Sequence, residues 1–117
     1  MAPRHSKGKG FYGRATYLSE DPAYGLGGTY AYRVPGHDGR RQQLLVVRLA
    51  AGAVKDYAGA VNTETKSLSM PPIRLERPPV VRYDTIKAGP HRPFVSGPGT
   101  AGESDASTIY CAYEYDL

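Results

Sequence analysis

Glycine and proline, which supply 14 and 10 of the 117 residues, divide this chain into short segments. Glycine adopts backbone conformations closed to other residues, and proline lacks an amide donor, so both interrupt regular structure. No apolar run is long enough to span a membrane, and no secretory signal is visible at the start. The sequence therefore predicts short elements joined by abundant loops.

Three segments have the composition of β-strands. Residues 13–19 (GRATYLS) and 107–115 (STIYCAYEY) are rich in β-branched and aromatic side chains. Residues 42–51 (QQLLVVRLAA) are apolar on both faces at their centre, which predicts a strand inside a sheet that is covered on both sides. Residues 82–87 (RYDTIK) are a candidate for a further short strand.

A helix start is predicted at residues 19–22 (SEDP), where a polar cap precedes acidic residues and a proline. Glycines at 25, 27 and 28 predict that this helix is broken and reaches about Arg33. Residues 35–39 read as a turn, and residues 57–80 and 89–105 as long loops. The predicted fold class is α+β, dominated by strands, with a short broken helix and long loops.

The charge is mildly basic, since 15 Lys and Arg oppose 11 Asp and Glu, giving 15 − 11 = +4. Residues 1–12 are predicted to be a flexible basic Gly-rich segment, for which a solvated tail is favoured over a nucleic-acid contact. Nucleic-acid binding is not favoured elsewhere, because the C-terminal tyrosines lie among Glu114 and Asp116 rather than basic residues. The single cysteine, Cys111, forms no internal disulfide, which favours a reducing cytoplasmic or nuclear location without a membrane.

Two motifs are discounted. Residues 8–13 fit G-x-G-x-x-G, but a dinucleotide-binding fingerprint needs a strand before it and a helix after it, and here a strand is predicted to follow. The histidines His5, His37 and His91 show no metal-ligand spacing with one another, so each is interpreted as a loop residue.

Residues 13–24 (GRATYLSEDPAY), followed by Tyr30, resemble the motif of the poly(ADP-ribose) polymerase family, in which a glycine- and tyrosine-containing strand leads into a helix. Three later segments agree in order: residues 44–52 resemble the family's central strand, 82–86 (RYDTI) its Tyr-Asp-Ser-Val element, and 107–115 its penultimate strand. The resemblance covers residues 8–117. It identifies residues 13–117 as the C-terminal part of an ADP-ribosyltransferase-like catalytic domain, truncated at both ends.

The resemblance implies cleavage of NAD, used as co-substrate, between nicotinamide and ribose, with transfer of ADP-ribose to a protein side chain. Tyr17, given the catalytic role, and Tyr30 would sandwich the nicotinamide, and Tyr24, Gly13 and Gly25 complete the implied cofactor-binding set. The 13-residue spacing of Tyr17 and Tyr30 resembles the mono-ADP-ribosylating branch.

Two residues depart from the family pattern. Gly25 stands where the family has the serine that holds the nicotinamide carboxamide, and Ala15 where it has a glycine close to the ligand. The family's His-Gly pair and its last strand are expected outside residues 1–117. The alternative function is therefore a catalytically inactive fold of the same type that acts as a protein-interaction module, and this chain by itself is expected to show little or no transfer.

Overall fold

A computed structural model describes residues 10–27, 32–33, 42–92 and 106–114. Within them lie two short helices and eight strands: β1 (Thr16–Ser19), α1 (Pro22–Gly27), β2 (Tyr32–Arg33), β3 (Gln42–Gln43), β4 (Val54–Asp56), α2 (Thr63–Lys66), β5 (Ile73–Leu75), β6 (Val81–Arg82), β7 (Thr85–His91) and β8 (Ser107–Ala112). The chain is thus α+β and dominated by strands, as predicted. No helix among the described residues is long and apolar enough to cross a membrane.

The main sheet has four strands in the order β1-β8-β7-β4. Strand β8 pairs antiparallel with β1 on one side and with β7 on the other, while β4 lies parallel to β7. The strands predicted within residues 13–19 and 107–115 are therefore confirmed, although each is shorter than its prediction. The predicted strand at residues 82–87 falls partly in β6 and partly in β7.

A small apolar core covers one face of this sheet. Side chains alternate along β8, where Ser107, Ile109 and Cys111 are buried. On β7, Ile86 lies opposite Cys111 of β8 and Ala88 lies opposite Ile109. The buried side chains of the two strands therefore share a face. Tyr12 and Ala15 complete the cluster. Burial of an isoleucine contributes about 1.5–3 kcal/mol, so Ile86 and Ile109 are its main aliphatic contributors.

The start of α1 is attached to the first residue of β8. The amide groups of Glu20 and Asp21 donate hydrogen bonds of 3.1 and 2.9 Å to the hydroxyl of Ser107. A carboxylate oxygen of Asp21 accepts a bond of 2.9 Å from the amide of Ala23 in the first turn. The helix start predicted at residues 19–22 is confirmed. The prediction that the helix reaches about Arg33 is wrong, because Tyr32–Arg33 is strand β2, which pairs with β3; residues 28–31 lie outside the described residues.

The prediction of a buried strand at residues 42–51 is wrong. Only Gln42–Gln43 is a strand, paired with β2, and the following residues through Gly52 belong to none. Leu45 and Val46 are 88% and 102% exposed. In the described part of the main sheet β7 lies between β4 and β8, so residues 42–51 do not take the central position that was expected of them.

The predicted loops contain regular structure. Residues 57–80 include α2 and β5, which pairs antiparallel with β6. The first residues of the segment 89–105 belong to β7, and most of the rest of that segment lies outside the described residues. The same holds for the turn predicted at residues 35–39 and for residues 1–9 of the predicted basic tail.

Candidate functional site

Gly13 and Tyr17, two of the residues singled out from the sequence, are in direct contact. The Tyr17 hydroxyl donates a 2.7 Å bond to the carbonyl oxygen of Gly13 and accepts a 2.9 Å bond from the amide of Tyr12. These two bonds hold the ring against the turn that runs from Gly10 to Gly13, where the amide of Gly13 donates to the carbonyl of Gly10. The Tyr17 side chain is nevertheless 38% exposed, so it presents an oriented aromatic surface.

The hydroxyl of Tyr17 stays protonated at neutral pH. Burial raises its pKa to about 12, the bond from the Tyr12 amide opposes this shift, and the nearby Cys111 thiol adds to it. A phenol with such a pKa and both hydrogen-bonding positions engaged is not a general base. Any role of Tyr17 in chemistry therefore rests on its ring.

Tyr24 and Gly25 lie on α1, which begins three residues after the end of the strand that carries Tyr17. Tyr24 is partly buried and packs against the core, and Gly25 is buried. A Cβ atom placed on Gly25 would lie 3.2 Å from a methyl carbon of Leu44, so a larger residue would press on that side chain. Tyr30 lies outside the described residues, and the predicted sandwich of Tyr17 and Tyr30 stays a prediction.

Ala15, the second departure from the family motif, points its methyl group into the core. It is 7% exposed and belongs to the same buried cluster as Ile86 and Cys111. In this position the methyl group contributes apolar packing and does not stand on the exposed surface where it would crowd a ligand.

The segments that resemble the family's central strand and its Tyr-Asp-Ser-Val element contact each other. A carboxylate oxygen of Asp84 accepts a 2.8 Å bond from the amide of Ala53, and the Thr85 hydroxyl donates a 2.8 Å bond to the carbonyl of Ala51. Gly52, at φ +64°, lies between them, and a Cβ atom there would overlap the Asp84 carboxylate. The residue types of RYDTI thus serve to attach the start of β7 to residues 51–53.

Sequence reasoning missed a cluster of aromatic side chains around Tyr12. The Tyr12 hydroxyl donates a 3.0 Å bond to the carbonyl of Ala60, and its oxygen lies 2.7 Å from Nε2 of His91. Tyr113 donates its hydroxyl to the carbonyl of Tyr12, and the ring of Tyr57 lies 6.1 Å from that of Tyr12. The high tyrosine content was the available signal, whereas the interpretation of His91 as a loop residue is wrong, because it ends β7.

The tautomer of His91 decides how the one hydrogen of the Tyr12 hydroxyl is used. When Tyr12 donates to Ala60, His91 carries a proton on Nε2 and donates to Tyr12; when Nε2 is unprotonated, it accepts from Tyr12. Burial lowers the pKa of His91 from its ordinary 6.5, and it raises the pKa of Tyr12 to about 12, with smaller contributions from Cys111 and Asp56. Burial likewise raises the pKa of Tyr113, and it brings that of Cys111 to about 12.

A cavity opens beside the turn between β1 and α1. It is a shallow depression of about 590 Å³ lined by residues 20–22, Pro90 and residues 106–108. Two carboxylates, of Glu20 and Asp21, lie at its edge. The described residues contain no group of three His, Cys, Asp or Glu side chains that would hold a metal ion.

Comparison with known proteins finds no match for this chain among family models, curated proteins or solved structures.

Proposed function

We propose that this chain is part of a NAD-dependent ADP-ribosyltransferase of the poly(ADP-ribose) polymerase type, with a protein side chain as acceptor and a cytoplasmic or nuclear location. The observation that carries the proposal is the ring of Tyr17. Its hydroxyl is fixed to the Gly10–Gly13 turn by two hydrogen bonds while 38% of the side chain remains exposed. An aromatic surface oriented in this way suits the stacking of a flat ring.

The elements around Tyr17 support the same function. Its strand leads through an acidic turn into α1, which carries Tyr24 and Gly25, and this is the order that the family motif implies. Glu20 and Asp21 are among the residues that line the depression beside that turn, whereas Tyr17 is not. Negative charge close to a reacting sugar stabilises an oxocarbenium-like transition state, so an acidic border is compatible with transfer from C1′ of ribose.

The proposed reaction breaks the bond between nicotinamide and C1′ of the ribose, and the electron pair of that bond leaves with nicotinamide. A nucleophilic atom of the acceptor side chain forms the new bond to C1′, and its proton passes to solvent. Tyr17 would hold the leaving ring by stacking, which contributes about 0.5–1.5 kcal/mol beyond area burial. Its hydroxyl takes no part in proton transfer, because both of its hydrogen-bonding positions are engaged and its pKa is about 12.

The second candidate is a fold of the same type that binds NAD or a protein and performs no transfer. Gly25 favours it, because glycine offers no hydroxyl for the nicotinamide carboxamide and the position is buried. Ala15 does not favour this second candidate, because its methyl group packs in the core. Release of free nicotinamide on incubation of the whole protein with NAD and an acceptor protein separates the two candidates, because only the enzyme produces it, whereas residues 1–117 by themselves are expected to release little in either case.

Calorimetric titration of NAD into the purified chain tests the site. Tyr17→Leu is expected to raise the Kd for NAD by roughly 2- to 12-fold or more, because this factor corresponds to the free energy of the lost aromatic stacking. Tyr17→Phe keeps the ring and loses only the bonds of the hydroxyl to Gly13 and Tyr12, so it should bind closer to the wild-type chain.

Tyr110→Leu is the matched control. Tyr110 is a half-buried tyrosine of β8 whose side chain lies on the opposite face of the sheet, beside Leu18 in the strand register. The Tyr110→Leu variant should bind NAD with the affinity of the wild-type chain. Circular dichroism checks that each variant is folded. Failure of the wild-type chain to bind NAD, or equal affinity of Tyr17→Leu, contradicts the proposed site.

A further inference from the structure

The segment of residues 44–50, which follows β3, is exposed and belongs to no helix or strand. Residues 44–48 all have exposed side chains, and those of Leu45 and Val46 are 88% and 102% exposed. No backbone hydrogen bond joins residues 44–50 to other described residues. An enzyme that acts on the backbone could therefore reach this segment without first opening a helix or a strand.

Both ends of the segment are fixed to the domain. At one end, Gln42–Gln43 pairs with Tyr32–Arg33 as strands β3 and β2. At the other end, the carbonyl of Ala51 accepts a 2.8 Å hydrogen bond from the hydroxyl of Thr85 at the start of β7. The chain on either side of residues 44–50 is thus held in place independently of the segment itself.

Arg48 lies in this segment and differs from the other nine Lys and Arg residues that the structure describes. Arg77 and Arg92 are each followed by proline, and the amide of Arg14 donates a hydrogen bond to the carbonyl of Leu68. The other six lie within a helix or a strand, namely Arg33, Lys55, Lys66, Arg74, Arg82 and Lys87. Among the described basic residues, Arg48 alone is outside any element, without a backbone hydrogen bond and followed by a residue other than proline.

These properties match what an endopeptidase that cleaves after arginine requires of its substrate. Enzymes of the trypsin type have a carboxylate in the pocket that receives the basic side chain, and an extended peptide can bind an exposed strand edge through main-chain hydrogen bonds. Val46 and Val47 are β-branched, which favours an extended backbone before the bond to be cut. Proline after the arginine hinders cleavage, because its ring restricts the backbone on both sides of the bond.

We propose that the peptide bond between Arg48 and Leu49 is a site of limited proteolysis by an arginine-specific endopeptidase. The reaction is a hydrolysis with water as the second reactant. The C–N bond breaks, the oxygen of water joins the carbonyl carbon of Arg48, and a proton passes to the nitrogen of Leu49. The products are residues 1–48 and 49–117.

The two products should stay associated, because many contacts of the domain cross the cut. Strand β1 belongs to the first product and pairs along its whole length with β8 of the second. The amides of Glu20 and Asp21 donate to the hydroxyl of Ser107. The buried Tyr12 contacts Ala60 and residues of β7 and beyond β8. Cleavage therefore produces a nicked domain rather than two free fragments.

The β5–β6 hairpin is the main competing site. Arg74 is exposed on β5, but the backbone of β5 pairs with β6, and Arg77 precedes Pro78. Cleavage after Arg74 therefore requires that the hairpin open first, which lowers the population that a protease can bind.

Limited digestion of the purified chain with trypsin, followed by mass spectrometry, tests the site. The bond after Arg48 should be cut at least about tenfold faster than the bond after any of the other nine described Lys and Arg residues, because no element has to open. Arg48→Gln should abolish this cut, and Leu49→Pro should suppress it while the arginine is retained. Arg74→Gln, the matched change at an exposed arginine in a paired strand, should leave the rate at Arg48 unchanged. Circular dichroism checks that each variant is folded.

Urea distinguishes cleavage of the folded chain from cleavage after unfolding. At urea concentrations below the unfolding transition, the rate at Arg48 should stay constant, whereas a cut that requires global unfolding becomes faster as urea is added. A short arginine-containing peptide, digested under the same conditions, corrects for the effect of urea on trypsin. Size-exclusion chromatography of the digest should show residues 1–48 and 49–117 eluting together.

Three results would overturn the proposal. They are faster cleavage after another described Lys or Arg than after Arg48, a rate at Arg48 that increases with urea as unfolding does, and separation of the two products on the column. None of these measurements involves NAD, so failure of this proposal and failure of the proposed function are distinguishable.

Discussion

At the scale of single residues, Gly13 has little freedom to change. It lies at φ +77°, in the left-handed region, and a Cβ atom there would overlap the carbonyl oxygen of Leu68. Its amide closes the turn with Gly10 and its carbonyl receives the Tyr17 hydroxyl. The glycine that the family resemblance assigns to ligand binding thus has a structural role, since it permits the turn that orients Tyr17.

Gly13→Ala is expected to lower the free energy of unfolding by about 2 kcal/mol or more, because it combines left-handed strain with a backbone overlap. Urea denaturation of the purified variant measures this loss. Gly59→Ala is the control, since a Cβ atom on Gly59 meets nothing within 4 Å, and it should change stability by no more than about 1 kcal/mol. Equal losses in the two variants would contradict this account of Gly13.

At the scale of elements, α2 shows how a helix of four residues persists. Such a length is far below what propensity alone sustains. The Asn62 side chain accepts a 2.9 Å bond from the amide of Thr65, and the Thr65 hydroxyl accepts a 2.9 Å bond from the amide of Asn62. Thr65 is completely buried. This reciprocal capping box fixes the first turn, and burial of Thr65 anchors it to the domain.

Asn62→Ala should cost about 1 kcal/mol of stability because it leaves the amide of Thr65 without its acceptor. Asn62→Asp retains a side-chain oxygen at the same place and should recover most of the loss. Thr63→Ala, an exposed neighbour on the same helix, should have little effect. Chemical denaturation measures the free energy of unfolding of the three variants. If the cap is specific, only Asn62→Ala lowers it; equal values for all three variants would contradict a specific cap.

At the scale of the whole molecule, Tyr12 connects distant parts of the chain. Its hydroxyl joins Ala60 and His91, and its carbonyl receives the hydroxyl of Tyr113. Tyr12 is therefore the buried residue at which four parts of the chain meet: the N-terminal turn, the loop before α2, the end of β7 and the residue after β8. With so few aliphatic residues in the core, this tyrosine-centred network makes up much of the described interior.

The lowered pKa of His91 makes the stability of the whole molecule depend on pH. A base whose pKa is lower in the folded state binds fewer protons there than in the unfolded chain, so stability is fully present above the ordinary value of 6.5 and is lost as pH falls through the folded value. The free energy of unfolding should therefore decrease between about pH 7.5 and pH 5.

His91→Gln removes this titration while keeping a side-chain amide that can donate to the Tyr12 hydroxyl. Subtracting its stability profile from that of the wild-type chain isolates the contribution of His91 from those of the carboxylates and of the other two histidines. A difference that does not vary with pH over this range would show that His91 titrates normally in the folded state.

Local chemistry in the sequence determined β1, β8 and the start of α1. Threonine, tyrosine and isoleucine favour extended backbone, and the Asp21 side chain accepts a hydrogen bond from the amide of Ala23, two residues further on. These local preferences made the three elements predictable without knowledge of the fold, although β1 pairs with β8 and the amides of Glu20 and Asp21 bond to Ser107 in the folded chain.

Tertiary structure decided what depends on distant partners. Residues 42–51 have the composition of a buried strand, yet the central strands of the described main sheet are β8 and β7, and Leu45 and Val46 are exposed. His91 entered a strand because β8 pairs with it, and it meets Tyr12 across 79 residues of chain. The composition of a segment indicates which side chains favour burial, but strand pairing in the folded chain decides which segments have a neighbouring strand.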